Sequence, residues 1–115
     1  MIGVTIDPAT FADLQATTGA EFVIELVDTF AEEAPQMLAD LHAARAAGDA
    51  DLFRRAAHSL KSNSATFGAV QLAALARTLE LGGLAADAAQ DVAAIAAFEV
   101  ALQQAVAALK ERCRG

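Results

Sequence analysis

One segment of the sequence brings an imidazole together with cationic and hydroxyl side chains. It covers residues 54–68 and reads Arg-Arg-Ala-Ala-His-Ser-Leu-Lys-Ser-Asn-Ser-Ala-Thr-Phe-Gly. A neutral imidazole is a nucleophile, and cations beside it stabilise an anion delivered onto the ring. The residue types in this segment therefore point to His58 as a nucleophile toward an anionic group such as a phosphoryl group.

Helical spacing places His58 on the outer side of this segment. At about 100° per residue, the residues that face the core share one narrow sector: Phe53, Ala57, Leu60, Ser64 and Phe67. A second group falls well outside that sector: Arg54, His58, Lys61, Ser62 and Ala65, with Arg55 at the sector's edge. We therefore expect His58 to project into solvent from a rigid helix, one turn from Arg54 and from Lys61.

The neighbours of His58 define its expected chemistry. Two or three cations within one turn disfavour a protonated ring, so we expect a neutral imidazole at about pH 7. The ammonium group of Lys61 and the hydroxyl group of Ser62 are placed to meet phosphoryl oxygens. The small residues Ala65 and Gly68 leave room for a partner surface. Polar histidines are common on helix surfaces, so charge placement alone leaves an inert surface histidine as an alternative.

The stretch that begins at His58 resembles the signature of histidine-containing phosphotransfer (HPt) domains. In that signature the histidine is followed by a hydrophobic residue, by a lysine with a small residue, and further on by a glycine. These positions are held here by Leu60, Lys61, Ser62 and Gly68. Many members have glycine where Ser62 stands, which bears on the details of phosphate contact and not on the role of His58.

The flanks of this stretch are also similar to the family. Gly48 and Asp49 precede the active helix as in many members, and Leu79-Glu80 lies where the family often ends its next helix. The resemblance extends over nearly the whole chain, from Leu14 to Leu109.

The resemblance implies a role as a phosphorelay intermediate. His58 would accept a phosphoryl group from a phospho-aspartate of a response-regulator receiver domain and pass it to an aspartate of a second receiver. Lys61 would neutralise and orient that group. The surrounding phosphate and partner surface would comprise Arg54, Arg55, Ser62, Ala65 and Gly68. The chain would bind no metal or cofactor, and the receiver would supply Mg²⁺.

The resemblance also implies which proteins the chain meets and where. Its partners would be response-regulator receiver domains, a hybrid histidine kinase, or both. In the family the docking patch around the histidine includes apolar residues of the first two helices. The candidates in this chain are Phe11, Leu14, Phe22 and Ile24, of which Ile24 lies off the core stripe of its helix.

Composition excludes several other classes of protein. The 115 residues, with a formal charge of −7, form one expected domain over residues 1–115 and argue against nucleic acid as a partner. No strongly apolar run reaches the roughly 18–20 residues that a membrane span needs. The single cysteine suits the cytoplasm. The chain has no nucleotide-binding motif, so we expect a monomeric phosphocarrier rather than an ATP-dependent kinase. Its N-terminal Met and single-domain length favour a free-standing chain.

Apolar periodicity and the abundance of alanine, with 31 residues, predict five helices. Their expected ranges are 8–18, about 20–47, 50–67, 69–81 and about 87–112. Asp7 and Asp49 serve as N-caps, and Pro35 is expected to kink or split the second helix. Short connections between long amphipathic helices predict an all-α fold, an antiparallel up-down-up-down four-helix bundle with a short extra N-terminal helix packed on it.

Other residues and other functions are alternatives to the phosphorelay interpretation. His42, Glu32 and Glu33 are interpreted as surface residues. One of the fourth-helix residues Gln71, Arg77 and Glu80 is a candidate to line the rim of a docking site or to bond to the active helix. One alternative function is a non-phosphorylated helical-bundle adaptor that docks a signalling partner. Another is a phosphatase-like helper that acts on a receiver aspartate, although no side chain here points to a positioned water.

Overall fold

The computed structural model describes residues 6–82, 84 and 88–114, and five α-helices take up almost all of them. In chain order these are α1 (Pro8–Thr18), α2 (Ala20–Ala47), α3 (Ala50–Thr66), α4 (Val70–Gly82) and α5 (Ala88–Arg114). Each described boundary lies close to the one predicted from apolar periodicity. Residue 87, where we expected the last helix to begin, lies outside the described residues.

Side-chain caps fix the starts of α1 and α3. The carboxylate of Asp7 accepts a hydrogen bond from the backbone N–H of Thr10 at 3.3 Å. The carboxylate of Asp49 accepts one from the backbone N–H of Leu52 at 3.0 Å. These bonds satisfy N–H groups that have no partner inside the helix. α3 therefore begins where the sequence predicts, which sets the direction in which its later side chains project.

Helix α2 continues through Pro35, so of the two predicted outcomes, a kink or a split, the split is wrong. Proline removes one backbone donor inside a helix and crowds the preceding turn. Phe30, Ala34 and Leu41, on either side of the proline, are buried in the same core. Their burial stabilises the helix across the proline, because breaking it would expose one of the two apolar segments.

The four long helices close into an antiparallel bundle. α2 packs on α3, α3 on α4, α4 on α5, and α5 returns to α2, while α1 packs against α2 and α3. The largest fully buried side chains come from all four long helices: Leu41, Phe53, Leu60, Leu72, Ile95, Phe98 and Leu109. The predicted all-α four-helix bundle with a short N-terminal helix is confirmed.

One described helix, Ala89–Cys113, is long and apolar enough by length and composition to cross a membrane. No such segment is predicted from the sequence, which has no uninterrupted strongly apolar run of that length. The core helix of a soluble bundle meets the same criterion, because alanine raises its hydropathy. Here Ile95, Phe98 and Leu109 of this helix are fully buried against the other helices of the bundle.

The turn between α3 and α4 sets how these two helices meet. Gly68 has a left-handed backbone (φ +77°), and its carbonyl accepts a hydrogen bond from the N–H of Asp7 at 2.7 Å. A Cβ at this position would lie 3.0 Å from the carbonyl oxygen of Asp7 and 3.1 Å from the Cβ of Thr10. Glycine is therefore needed both for the backbone conformation and for the close approach of α1.

Candidate functional site

The helical face predicted for α3 is confirmed by the burial of its side chains. The core sector is buried throughout: Phe53, Ala57, Leu60, Ser64 and Phe67. His58 lies on the opposite side, and 57% of its side chain is exposed. The hydroxyl group of Ser64 donates to the carbonyl oxygen of Leu60 at 2.7 Å, which satisfies the one polar side chain in that sector. The imidazole therefore projects from a helix whose opposite face is packed into the core.

A carboxylate from α4 joins the two main site residues of α3. Glu80 Oε2 lies 2.6 Å from His58 Nδ1, and Glu80 Oε1 lies 2.8 Å from Lys61 Nζ. The Glu80 side chain is largely covered, with 15% of it exposed. His58 and Lys61 are therefore held at one carboxylate, on the same side of α3, as the sequence predicts for the two α3 residues.

The charge state of Glu80 determines which ring nitrogen of His58 is free. A hydrogen bond from Lys61 is the largest cause that holds the pKa of the Glu80 carboxyl below its ordinary value, and a hydrogen bond from His58 is the next largest. An ionised carboxylate only accepts hydrogen bonds, so Nδ1 of His58 must be the donor. In a neutral ring the lone pair is then on Nε2, which does not face Glu80. In the neutral ring this contact therefore leaves Nε2 as the nitrogen with an unshared lone pair.

Carboxylates change the electrostatic surroundings predicted for His58. Arg54 and Arg55 both form ion pairs with Asp51, at 3.3 Å between Arg55 Nε and Asp51 Oδ2. Lys61 is paired with Glu80. The prediction of a neutral ring rests on the cations of α3 alone, whereas each of these three cations has a carboxylate partner. The neutral state of the ring stays a prediction.

The remaining predicted site residues divide into two groups. Ser62 and Ala65 are exposed and line a trough between α3 and α4 that begins at Lys61. Gly68 is buried beneath Asp7 and so does not lie on the surface where a partner was expected to approach. A glycine is needed at this position for the packing of α1 on the α3–α4 turn.

The apolar docking candidates divide in the same way. Phe11 is buried, so it offers no surface to a partner. Leu14 is half-buried against the core. Phe22 and Ile24 are exposed on α2. Ile24 is thus exposed as its position off the core stripe predicts.

Glu80 is the site residue to which the sequence assigns no definite role. It is one of three residues of α4, with Gln71 and Arg77, of which one is expected to line the rim of a docking site or to bond to α3. Periodicity within each helix cannot choose among the three, because it does not give the pairing of α3 with α4. Among residues 6–82, 84 and 88–114, no three His, Cys, Asp or Glu side chains are close enough to hold a metal ion.

Comparisons with known proteins point to one family. The family model described as "Hpt domain" matches residues 25–112 of the chain. The crystal structure of histidine-containing phosphotransfer protein B from Pseudomonas aeruginosa PAO1 is similar in fold, with a TM-score of 0.79. The two sequences are 32% identical, and the alignment covers 95% of this chain and 94% of that chain. A search among curated proteins gave no match.

Proposed function

This chain belongs to the Hpt domain family of phosphorelay proteins, and on that premise we propose that Nε2 of His58 is its phosphoryl acceptor. The donor would be the phospho-aspartate of a response-regulator receiver domain, and the next acceptor an aspartate of a second receiver. Other partners would be the receiver or kinase portions of a hybrid histidine kinase. The single observation that carries the proposal is an exposed imidazole whose Nδ1 is held by Glu80.

The proposed transfer requires no proton to leave the ring, and one bond forms for each bond that breaks. The Nε2 lone pair attacks phosphorus, an N–P bond forms, and the P–O bond to the donor aspartate breaks, so that the aspartate leaves as a carboxylate. The ring keeps its Nδ1 proton and becomes positively charged. The Glu80 carboxylate, 2.6 Å from Nδ1, stabilises that charge. In the reverse direction a receiver aspartate attacks phosphorus and the neutral imidazole leaves.

Lys61 has a separate role in this proposal. Its ammonium group contacts Glu80 in the resting site and carries a long, flexible stem, so it can turn to phosphoryl oxygens that arrive at Nε2. Ser62 lies on the exposed side of the same turn and offers a hydroxyl donor. The receiver would supply Mg²⁺ and most of the transition-state stabilisation, while this chain positions the nucleophile on a rigid element.

The chain would act as a phosphocarrier in the cytoplasm. Proteins of this family are phosphocarriers, and we propose that this chain runs no ATP-dependent reaction of its own. The phosphoryl group must therefore come from a receiver or a kinase. We propose that the chain does this as a monomer, because Glu80 and the buried face of α3, which position His58, come from the same chain.

Transfer of label from a phosphorylated receiver, in the presence of Mg²⁺, tests the proposal. The wild-type chain is expected to gain acid-labile, base-stable label, and His58→Gln to gain none. His42→Gln is the matched control, because His42 is exposed on α2 and has no assigned role. Label that survives in His58→Gln would overturn the proposal. A chain that binds receivers but never takes up label would instead be an adaptor.

A further inference from the structure

A groove runs between α2 and α5, on the edge of the bundle opposite the α3–α4 edge that carries His58 and Glu80. It has a volume of about 600 Å³ and is lined by residues within the segments 31–42 of α2 and 99–106 of α5. Pockets of roughly 300–1,000 Å³ are the size that takes small molecules. The lining residues are separate from those of the phosphoryl site, so the groove and its ligand are independent of the proposed function.

Most of the groove is apolar. Leu38 of α2 and Leu102 and Val106 of α5 line it, and alanines at three further lining positions contribute only methyl groups. Leu38 and Val106 are half-buried against the core. An apolar ligand in the groove would therefore remove the exposed apolar surface of these two side chains from water, which favours binding.

Glu99 brings a carboxylate to this apolar groove. It lines the groove and is half-buried. Over the residues that the structure describes, Glu99 has no ion pair and no side-chain hydrogen bond. An ionised carboxylate accepts hydrogen bonds and cannot donate them, and partial burial strengthens its attraction for a cation. Glu99 therefore favours a ligand with a positively charged donor group.

Pro35 leaves a second hydrogen-bond acceptor in the same groove. In an α-helix the carbonyl group of one residue accepts from the N–H group four residues later, and proline has no N–H group. The carbonyl oxygen of Ala31 therefore lacks the donor that position 35 would otherwise supply, and Ala31 and Pro35 both line the groove. Like the carboxylate of Glu99, this oxygen favours a ligand that donates hydrogen bonds.

The charges around the groove also favour a cation over an anion. Its other polar lining residues are His42 and Gln103, and Gln103 and a neutral His42 can each accept as well as donate a hydrogen bond. Residues 1–44, which contain most of α2, hold eight Asp or Glu residues and no Lys or Arg. The α2 side of the groove is therefore acidic and repels a negatively charged ligand.

We propose that the α2–α5 groove is a binding site for a small apolar molecule that carries an ammonium group. The ammonium group pairs with the carboxylate of Glu99, and the apolar part packs on Leu38 and Leu102. The charge determines the class of ligand, because a carboxylate on the same apolar body would meet Glu99 as a like charge. The apolar lining alone would not distinguish between the two.

Three probes with the same apolar part test both the site and its preference for charge. They are 2-phenylethylammonium, 2-phenylethanol and 3-phenylpropanoate, each of which has a phenyl ring on a two-carbon chain. Each is titrated into the ¹⁵N-labelled wild-type chain at low salt, and backbone amide shifts are followed. The ammonium probe is expected to bind saturably, with its largest shifts in residues 31–42 and 99–106. It should bind about tenfold or more tightly than the carboxylate probe, with the alcohol between them.

Two variants separate the charged part of the site from its apolar part. Glu99→Gln is expected to weaken binding of the ammonium probe about fivefold or more, to the level of the alcohol, and to leave the alcohol unchanged. Glu33→Gln is the matched control, because Glu33 is exposed on α2 outside the lining and its loss changes the net charge equally. Ala39→Leu places a larger side chain at an exposed lining position and is expected to weaken binding of all three probes.

Equal affinity of the ammonium and carboxylate probes would overturn the assigned class of ligand. The same conclusion would follow if Glu99→Gln and Glu33→Gln had equal effects. Shifts that do not saturate, that lie outside the groove, or that persist unchanged in Ala39→Leu would overturn the site itself.

Discussion

Oε2 of Glu80 lies 2.6 Å from Nδ1 of His58, although the two residues are 22 positions apart on neighbouring helices. The contact ties the reactivity of an exposed side chain on α3 to a mostly covered carboxylate on α4. It gives a physical reason for attack through Nε2, since Nδ1 is occupied as a donor. Several expectations depend on this one distance.

Removal of the Glu80 carboxylate is expected to slow phosphotransfer, and the loss should differ between two variants. Glu80→Gln keeps an oxygen that can accept from Nδ1 but loses the charge, so transfer falls several-fold. Glu80→Ala loses both and is expected to slow transfer by about tenfold or more. Nitrogen chemical shifts of His58 report the tautomer, and Glu80→Ala should shift the neutral ring away from the Nδ1–H form. Glu32→Gln, a change on the exposed side of α2, is the control.

Lys61→Ala is expected to slow transfer without unfolding the chain. Only the ion pair with Glu80 is lost, at a side chain that is 30% exposed. Circular dichroism should match the wild type and the midpoint of thermal unfolding should fall only slightly, because one partly exposed ion pair is lost, while the rate of label transfer from a receiver falls. Loss of the fold in this variant would contradict the assigned face of α3.

Glycine at position 68 is expected to be less replaceable than glycine at position 48. Both have a left-handed backbone, but a Cβ at Gly48 would meet nothing within 4 Å. Gly48→Ala is therefore expected to lower the free energy of unfolding by about 1 kcal/mol. Gly68→Ala adds a clash with Asp7 and Thr10 and should cost about 3 kcal/mol in total. Urea unfolding of both variants measures the difference, and equal losses would refute the packing of α1 on Gly68.

The ion pair between Arg45 and Asp91 is expected to stabilise the fold more than the surface pair between Arg54 and Asp51. Arg45 Nε lies 3.0 Å from Asp91 Oδ2, and the side chains are 24% and 7% exposed. Asp91→Ala should lower the free energy of unfolding by about 3 kcal/mol, because it leaves a largely covered guanidinium without this partner. Arg54→Ala should cost no more than about 0.5 kcal/mol. Similar losses for the two variants would contradict this ranking.

Acid is expected to remove the stabilising contribution of Glu80. Its pKa is lowered in the folded protein by Lys61 and then by His58, so its contribution is present above the pKa of the unfolded chain. The contribution is lost as pH falls below the ordinary carboxyl pKa of 4.5 and through the lowered pKa of the folded protein. Urea unfolding of the wild type and Glu80→Gln should converge over that range. A stability difference that does not change with pH would exclude this contribution.

Features that depend on a single helix could be predicted from the sequence. The 3.6-residue repeat of α3 separates Leu60 and Ser64 from His58 and Lys61, and burial follows that division. Aspartates at N-caps fix where helices begin for the same local reason. The outer face of α3 and the starts of α1 and α3 can therefore be predicted without knowledge of the tertiary structure.

Features that depend on the pairing of helices could not be predicted in this way. The contact of Glu80 with His58 is set by the Gly68 turn, which determines how far α4 runs along α3. The same turn receives α1, and this buries Phe11 and Gly68 where a partner surface was expected. Continuity of α2 at Pro35 likewise comes from burial on both sides of the proline rather than from local preference.

The site of the phosphoryl group on the ring tests the central claim most directly. The chain is labelled with ¹⁵N at histidine, phosphorylated by a receiver, and studied by nitrogen–phosphorus correlation. The account predicts that phosphorus is coupled to Nε2 of His58 in the wild type and that no phosphohistidine forms in His58→Gln. Phosphorus attached to Nδ1, or a phosphorylated residue other than His58, would contradict it.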